Sequence, residues 1–374
     1  MSMRARLLCS LFALQYCGSV FAWENHTHLT KAVFHGEEKW ASVSFERIES
    51  ALTGLQVQEK KLLLSRHELA QALVIQGHKV NWDWQPPKEK STALDVLLFS
   101  VQEPDNGMDQ GLHLADYQES MGGFSGPSSQ AIRYMFFAKM DWSSPFQTFH
   151  FPFHEMGFAP DRAELFLSLA VQERKNGHLF WAYRFLGWGL HYLQDLTQPY
   201  HTSQLGSLRL LPLGSLFRGK TELFREATRI VGNFHLAFEQ YVEYLLLNNP
   251  DGESKIGPAL IVPIVEESLR RELQRNPSAA VVARALARNS QGMASALVAR
   301  QLDFIGELLL DPQTDLIPGF FDSHGKPKID FEVLEADIEK KGQRGHMYGA
   351  MRKALANASF ATHWYIDRFN SSNP

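Results

Sequence analysis

The chain has 374 residues, with 37 basic and 41 acidic side chains and a formal net charge of −4. That length is ample for a large core, and a mildly acidic balance without a polybasic stripe excludes duplex nucleic acid as a partner on charge grounds. Both cysteines, Cys9 and Cys17, lie in the first 22 residues, so the remainder has no disulfide and relies on core burial for stability.

Residues 1–22 read as a secretory signal peptide. Arg4 and Arg6 form a positive n-region, an apolar run from Leu7 to Phe21 follows, and Val20-Phe21-Ala22 is the expected cleavage site. The run is too short and too interrupted to span a membrane. Tyr16 before Cys17 is too bulky for lipoprotein processing, so secretion without a lipid anchor is expected, with the periplasm as transit compartment in a bacterium. Cleavage after Ala22 makes Trp23 the new N-terminus. A free α-amine and its own carbonyl chelate a metal in a five-membered ring, and His28 adds an imidazole, with His26 as its rival.

Apolar residues at three-to-four spacing predict helices over 27–39, 43–75 and 92–102. Loops concentrate between 103 and 160, where sites on a helical frame usually sit. Pro104-Asp105 closes the preceding helix, and the segment carries Asp105, Asp109, Asp116 and Asp141 together with His150 and His154. Gly122 to Ser129 reads equally as a lid or as a simple connection.

Helices are predicted over 161–174 and 178–195. The second is apolar nearly all round, which marks a central buried helix, and Gly187 and Gly189 within it permit close backbone approach. His191 and Asp195 are four apart, so they stack on one helix face. Pro199 then stops the helix and lets the chain swing His201 back toward the same pocket. A helix over 221–247 repeats the four-residue spacing with His235 and Glu239. Nitrogen and carboxylate oxygen in this arrangement suit borderline-soft divalent metals, and zinc is the usual occupant. Between the pairs, the apolar segment 205–217, with Arg209, Arg218 and Lys220 nearby, reads either as an interfacial loop that dips into lipid or as an insertion packed on the protein. Segments 257–275, 277–311 and 331–369 are also helical in pattern. Strand patterns are scarce, so the expected fold class is all-α.

Taken in order, Trp23, His28, Asp105, His150, His191, Asp195, His201, His235 and Glu239 resemble the ligand set of the zinc-dependent phospholipases C, which share a fold with the single-strand-specific zinc nucleases. The strongest pieces are His-x-x-x-Asp-x-x-x-Pro-x-His at 191–201 and His-x-x-x-Glu at 235–239. The resemblance spans residues 23 to about 247 and implies a helical catalytic domain with a cleft holding three zinc ions; with the helical pattern beyond it the expected domain is 23–374, with 250–374 as a C-terminal helical extension. By the same implication one zinc takes Asp105, His150, His191 and Asp195. A second takes the Trp23 amine and carbonyl, His28 and Asp195, and a third takes His201, His235 and Glu239, so that Asp195 bridges two ions. The implied activity is hydrolysis of the glycerol-side phosphodiester of a phospholipid such as phosphatidylcholine, giving diacylglycerol and a phosphorylated headgroup. Asp105 is the implied general base, and the partner is a phospholipid met in transient contact with a membrane surface. Asn106 stands where the family often has a choline-caging aromatic, so a choline preference does not carry over. Glu239 leans toward the phospholipases, and the short Trp23–His28 spacing toward the nucleases. A single-strand-specific nuclease and a non-catalytic secreted zinc-binding protein are the alternatives.

Overall fold

The computed structural model describes residues 26–34, 44–46, 90–105, 135–136, 142–143, 148–149, 155–156, 159–203, 206–247, 277–314, 316, 327–341 and 345–372. Its elements run α1 (His26–Val33), β1 (Ser44–Glu46), β2 (Lys90–Thr92), α2 (Ala93–Ser100), β3 (Met135–Phe136), β4 (Trp142–Ser143), β5 (Thr148–Phe149), β6 (Glu155–Met156), α3 (Ala159–Lys175), α4 (Leu179–Asp195), α5 (Pro199–Thr202), α6 (Lys220–Leu247), α7 (Ala279–Ile305), α8 (Phe331–Lys341) and α9 (Gly345–Ser371). The fold is all-α. The strands, two or three residues each, pair only as isolated antiparallel ladders, β1 with β2, β3 with β6 and β4 with β5.

Local chemistry sets the helix ends that matter for the site. Thr92 and Asp95 form a reciprocal capping box at the start of α2, with the Asp95 N–H on Thr92 Oγ1 at 3.1 Å and the Thr92 N–H on Asp95 Oδ2 at 2.9 Å. Gly177, at φ 82°, ends α3. The His178 N–H reaches the Glu173 carbonyl (2.9 Å) and the Gly177 N–H that of Arg174 (3.0 Å), the bond pair of a Schellman turn. That turn lays α4 back against α3. Pro199 occupies the first helical position of α5, where its missing N–H costs nothing.

Helix α4 is the axis of the molecule. From Phe180 to Asp195 every residue is buried, and α2, α3 and α9 pack around it. Trp181, Phe185 and Trp188 meet one another and Phe166 of α3 at edge-on, tilted or stacked angles. Each such ring contributes about 1.5–3 kcal/mol by leaving water. The two glycines of α4 do what their size allows: α2 at Ser100 lies against Gly187, and Tyr365 of α9 lies against Gly189, closer than a Cβ would tolerate. Helix α7 crosses α3, α5 and α9.

Most predicted helices coincide with observed ones, and two readings need correction. At 44–46, inside the predicted helix 43–75, the backbone is extended, because Ser44-Phe45-Glu46 finds a ladder partner in Lys90–Thr92. Predicted helix 331–369 is described as α8, to Lys341, and α9, from Gly345, and positions 342–344 lie outside the described residues. Predicted helix 277–311 stops at Ile305, where Gly306 at φ 96° turns the chain into a 3₁₀ turn over Glu307–Leu310. Segment 257–275 lies outside the described residues. Among those described, no helix is long and apolar enough to cross a membrane.

Candidate metal centre

The C-terminal end of α4, the single turn α5 and the middle of α6 bring the predicted donors together. His191 and Asp195 stack one turn apart on α4, and His235 and Glu239 do the same on α6. The Gln198 side chain caps α5 by accepting the Tyr200 N–H at 2.5 Å and donates through Nε2 to Glu239 Oε1 at 3.1 Å. This one amide sets the turn that carries His201 and ties it to α6.

Two buried groups of donors result, His26 with Asp105 and His191, and His201 with His235 and Glu239. In the second, His201 Nε2 is 2.9 Å from His235 Nε2 and 3.4 Å from Glu239 Oε1, which in turn lies 2.9 Å from His235 Nε2. Tetrahedral zinc with bonds of about 2.0–2.1 Å holds its ligand atoms about 3.3 Å apart, so this trio needs only small adjustments. In the first, Asp105 Oδ2 is 3.7 Å from His26 Nε2 and Asp105 Oδ1 is 3.7 Å from His191 Nε2. Asp195 joins the groups. Its Oδ1 lies 3.2 Å from His26 Nε2 and 3.1 Å from His201 Nδ1, and its Oδ2 lies 3.3 Å from His191 Nε2.

Surrounding residues aim these donors. His191 Nδ1–H donates to the Val101 carbonyl at 2.9 Å, and His26 Nδ1–H donates to Gln194 Oε1 at 2.9 Å. Both rings therefore direct Nε2 at the carboxylates. The Tyr200 ring stacks on His235 at 5.9 Å. Asp105 follows Glu103, which α4 grips through Arg184 and Trp188, and it accepts from Gln102 Nε2 at 2.9 Å.

The donor set fits a divalent cation. Imidazole lone pairs facing carboxylate oxygens repel unless a positive charge lies between them. His235 Nδ1 and Glu239 Oε2 are buried without a hydrogen-bond partner among the described residues. Burial alone would raise the Glu239 carboxyl. The charge of His235 and hydrogen bonds from His201 and His235 outweigh it and hold the group at about 2, so Glu239 is an anion at any working pH.

Of the nine residues expected at the site, the structure gathers Asp105, His191, Asp195, His201, His235 and Glu239. Trp23 and His150, and with them any ion they would complete, lie outside the described residues. His28 is half-buried on α1, and it is His26 that stands in the cluster. The reason is helical phase. His26, Leu29, Thr30 and Val33 form the buried stripe of α1, and His28 is about 200° round from His26. Leu29 and Val33 carried that signal in the sequence. Gln194 and Gln198 were missed because a buried amide has no spacing rule. Segment 205–217 contains two 3₁₀ turns, Leu208–Leu210 and Leu213–Arg218. It divides its apolar residues, with Leu210 buried and Leu213 and Phe217 60% and 94% exposed.

No protein-family model matches the chain, and no curated protein does. Among solved structures it is similar to the alpha-toxin of Clostridium perfringens from avian strain SWCP, at 16% identity and a TM-score of 0.32. The match covers 87% of this chain and 65% of that one.

Proposed function

We propose that the chain is a zinc-dependent phosphodiester hydrolase of phospholipase C type, cleaving the glycerol-side phosphodiester of phospholipids. One observation carries the reading: four imidazoles and three carboxylates converge in two buried groups that share Asp195. In this reading Asp105, His191 and Asp195, with His150, hold one ion, His26 and Asp195, with the Trp23 amine and carbonyl, a second, and His201, His235 and Glu239 a third. Zinc would supply Lewis acidity, moving the pKa of water toward roughly 7 and offsetting the negative charge that builds on the phosphate oxygens. Asp105 is the most exposed of the three carboxylates and has both oxygens near the imidazole Nε2 atoms, so it is placed to take the proton of the attacking water. Asp195 and Glu239, both buried, hold the imidazoles in line through the contacts described above. Phospholipid is favoured over nucleic acid by Leu213 and Phe217, which the 3₁₀ turn between His201 and α6 presents to solvent beside Arg209 and Arg218. A nucleic-acid groove would instead show stacked aromatics lined by cations.

The test is an assay panel on the secreted chain with phosphatidylcholine, phosphatidylglycerol and single-stranded DNA, each with and without a chelator. Release of a phosphorylated headgroup, abolished by chelation and restored by zinc, is the expected result. Nucleotide release alone would replace the phospholipase reading with a nuclease. Bound zinc without turnover of any substrate would leave a zinc-binding protein.

A further inference from the structure

The C-terminal helix reaches the metal centre through a single amide. Gln194 is fully buried, yet every hydrogen-bonding atom of its side chain is used. Its Nε2 donates to Thr30 Oγ1 of α1 and to Thr362 Oγ1 of α9, each at 3.0 Å, and its Oε1 faces His26 Nδ1 at 2.9 Å. A buried amide is costly to leave half-satisfied, so the arrangement is strongly held. We propose that Gln194, braced by Thr362, is a positioning residue that fixes His26 as the Nδ1–H tautomer and turns its Nε2 lone pair toward Asp195 and Asp105. The inference rests on the metal-centre reading above.

The direction of each bond follows from the one before it. Thr362 commits its only proton to the Ala358 carbonyl at 2.8 Å, so toward Gln194 it can only accept. The group facing it must therefore be the Gln194 NH₂, which places Oε1 on the side of His26. An amide oxygen only accepts, so His26 Nδ1 must carry the proton. In the neutral ring Nε2 is then bare, 3.2 Å from Asp195 Oδ1 and 3.7 Å from Asp105 Oδ2. The neighbouring residue on α9, His363, packs edge-on against Phe34 just after α1, with ring centroids 5.8 Å apart, so α9 grips α1 beside the same point. His191 obtains the same tautomer from the Val101 carbonyl, a backbone device. His26 has only a side chain for this, and that side chain is oriented from the far end of the chain. The C-terminal helix thus has a role at the centre without supplying a ligand.

Three measurements on the full secreted chain test this. The ring ¹⁵N and ¹³Cδ2 shifts of His26 in the zinc-free wild type report the tautomer directly and need no variant. A proton on Nδ1 is expected, whether or not Nε2 also takes one from the facing carboxylates, and a ring that carries its proton on Nε2 alone would overturn the proposal. Thr362→Val, which keeps the shape and removes the acceptor, should weaken zinc binding about 10–100-fold in competition with a chromophoric chelator. Thr362→Ser should restore it. Gln194→Leu should lose affinity to the same degree, with the His26 shifts moving toward a mixture of tautomers. Unchanged zinc affinity in both Thr362→Val and Gln194→Leu would overturn the proposal. A wild type that binds no zinc would sink the metal reading alone, because the tautomer measurement still decides the role of Gln194.

Discussion

Arg184 and Glu103 form a bidentate ion pair across α4 and the end of α2, with Nη2 on Oε1 at 2.6 Å and Nε on Oε2 at 2.9 Å. The Trp188 indole N–H adds a third bond to Oε2 at 2.7 Å, and the guanidinium lies 4.9 Å and 5.2 Å from the Trp181 and Trp188 ring centroids. The pair is almost wholly removed from water, so its value is specificity of placement: it pins the backbone two residues before Asp105.

Arg184→Met should therefore cost about 3–5 kcal/mol, because it leaves the Glu103 carboxylate buried opposite an apolar group. Urea denaturation reads the loss. Adding Glu103→Leu should return part of the stability. It should not return zinc affinity, since Asp105 is no longer anchored in either variant. A double variant that binds zinc as wild type does would show that the anchor is only structural.

Three glycines to alanine should differ in sign. Gly189→Ala drives a methyl group into Tyr365, whose hydroxyl is bonded to the Ala163 carbonyl at 2.6 Å, and Gly187→Ala meets Ser100 and the Val101 backbone. Each should lose about 1–3 kcal/mol. Gly292 sits exposed on α7 with open space where a Cβ would stand, so Gly292→Ala should gain about 0.5–1 kcal/mol. Thermal melts of the three variants decide the matter.

Asp195→Asn should reduce zinc at both groups of donors together, because its carboxylate contacts His26, His191 and His201. Glu239→Gln should empty only the group on α6. Elemental analysis after dialysis distinguishes the two. A full complement of zinc in Asp195→Asn would end the bridging role.

Acid should weaken the zinc-free protein in a defined window. The Glu239 carboxyl is held at about 2 in the fold, against 4.5 in an unstructured chain. A carboxyl lowered on folding gives stability that is present above its unfolded value and fades as pH falls toward the folded one. Stability should thus decline between about pH 4.5 and 2, and Glu239→Gln should flatten that part of the curve.

Glu173 should behave in the opposite way. Burial raises its carboxyl, and the hydrogen bond and charge of His178, with a bond from Asn176, offset this only in part. Stability from such a group is complete below its unfolded value and lost as pH rises through the folded one. Glu173→Gln should melt higher than wild type at neutral pH and show little difference near about pH 4. A lower melting temperature at neutral pH would contradict the account.

The periodic elements were legible because periodicity is local. His191 and Asp195, and likewise His235 and Glu239, had to share a helix face once their segments were helical, and Pro199 had to release His201 from the helix above it. The glycines of α4 likewise marked where neighbours come close, though not that Ser100 and Tyr365 would be those neighbours.

The sequence by itself determined the helical class, the central place of α4 and the donor pairs one turn apart, since each depends on residues within a few positions of one another. Tertiary structure alone decided that Asp195 lies between the two groups, and that Gln194 links Thr362 of α9 to His26, each of them 168 positions from it in sequence. Those outcomes depend on how helices distant in sequence are rotated about their axes when they pack. That rotation is set by the fit of whole surfaces rather than by any short pattern of residues.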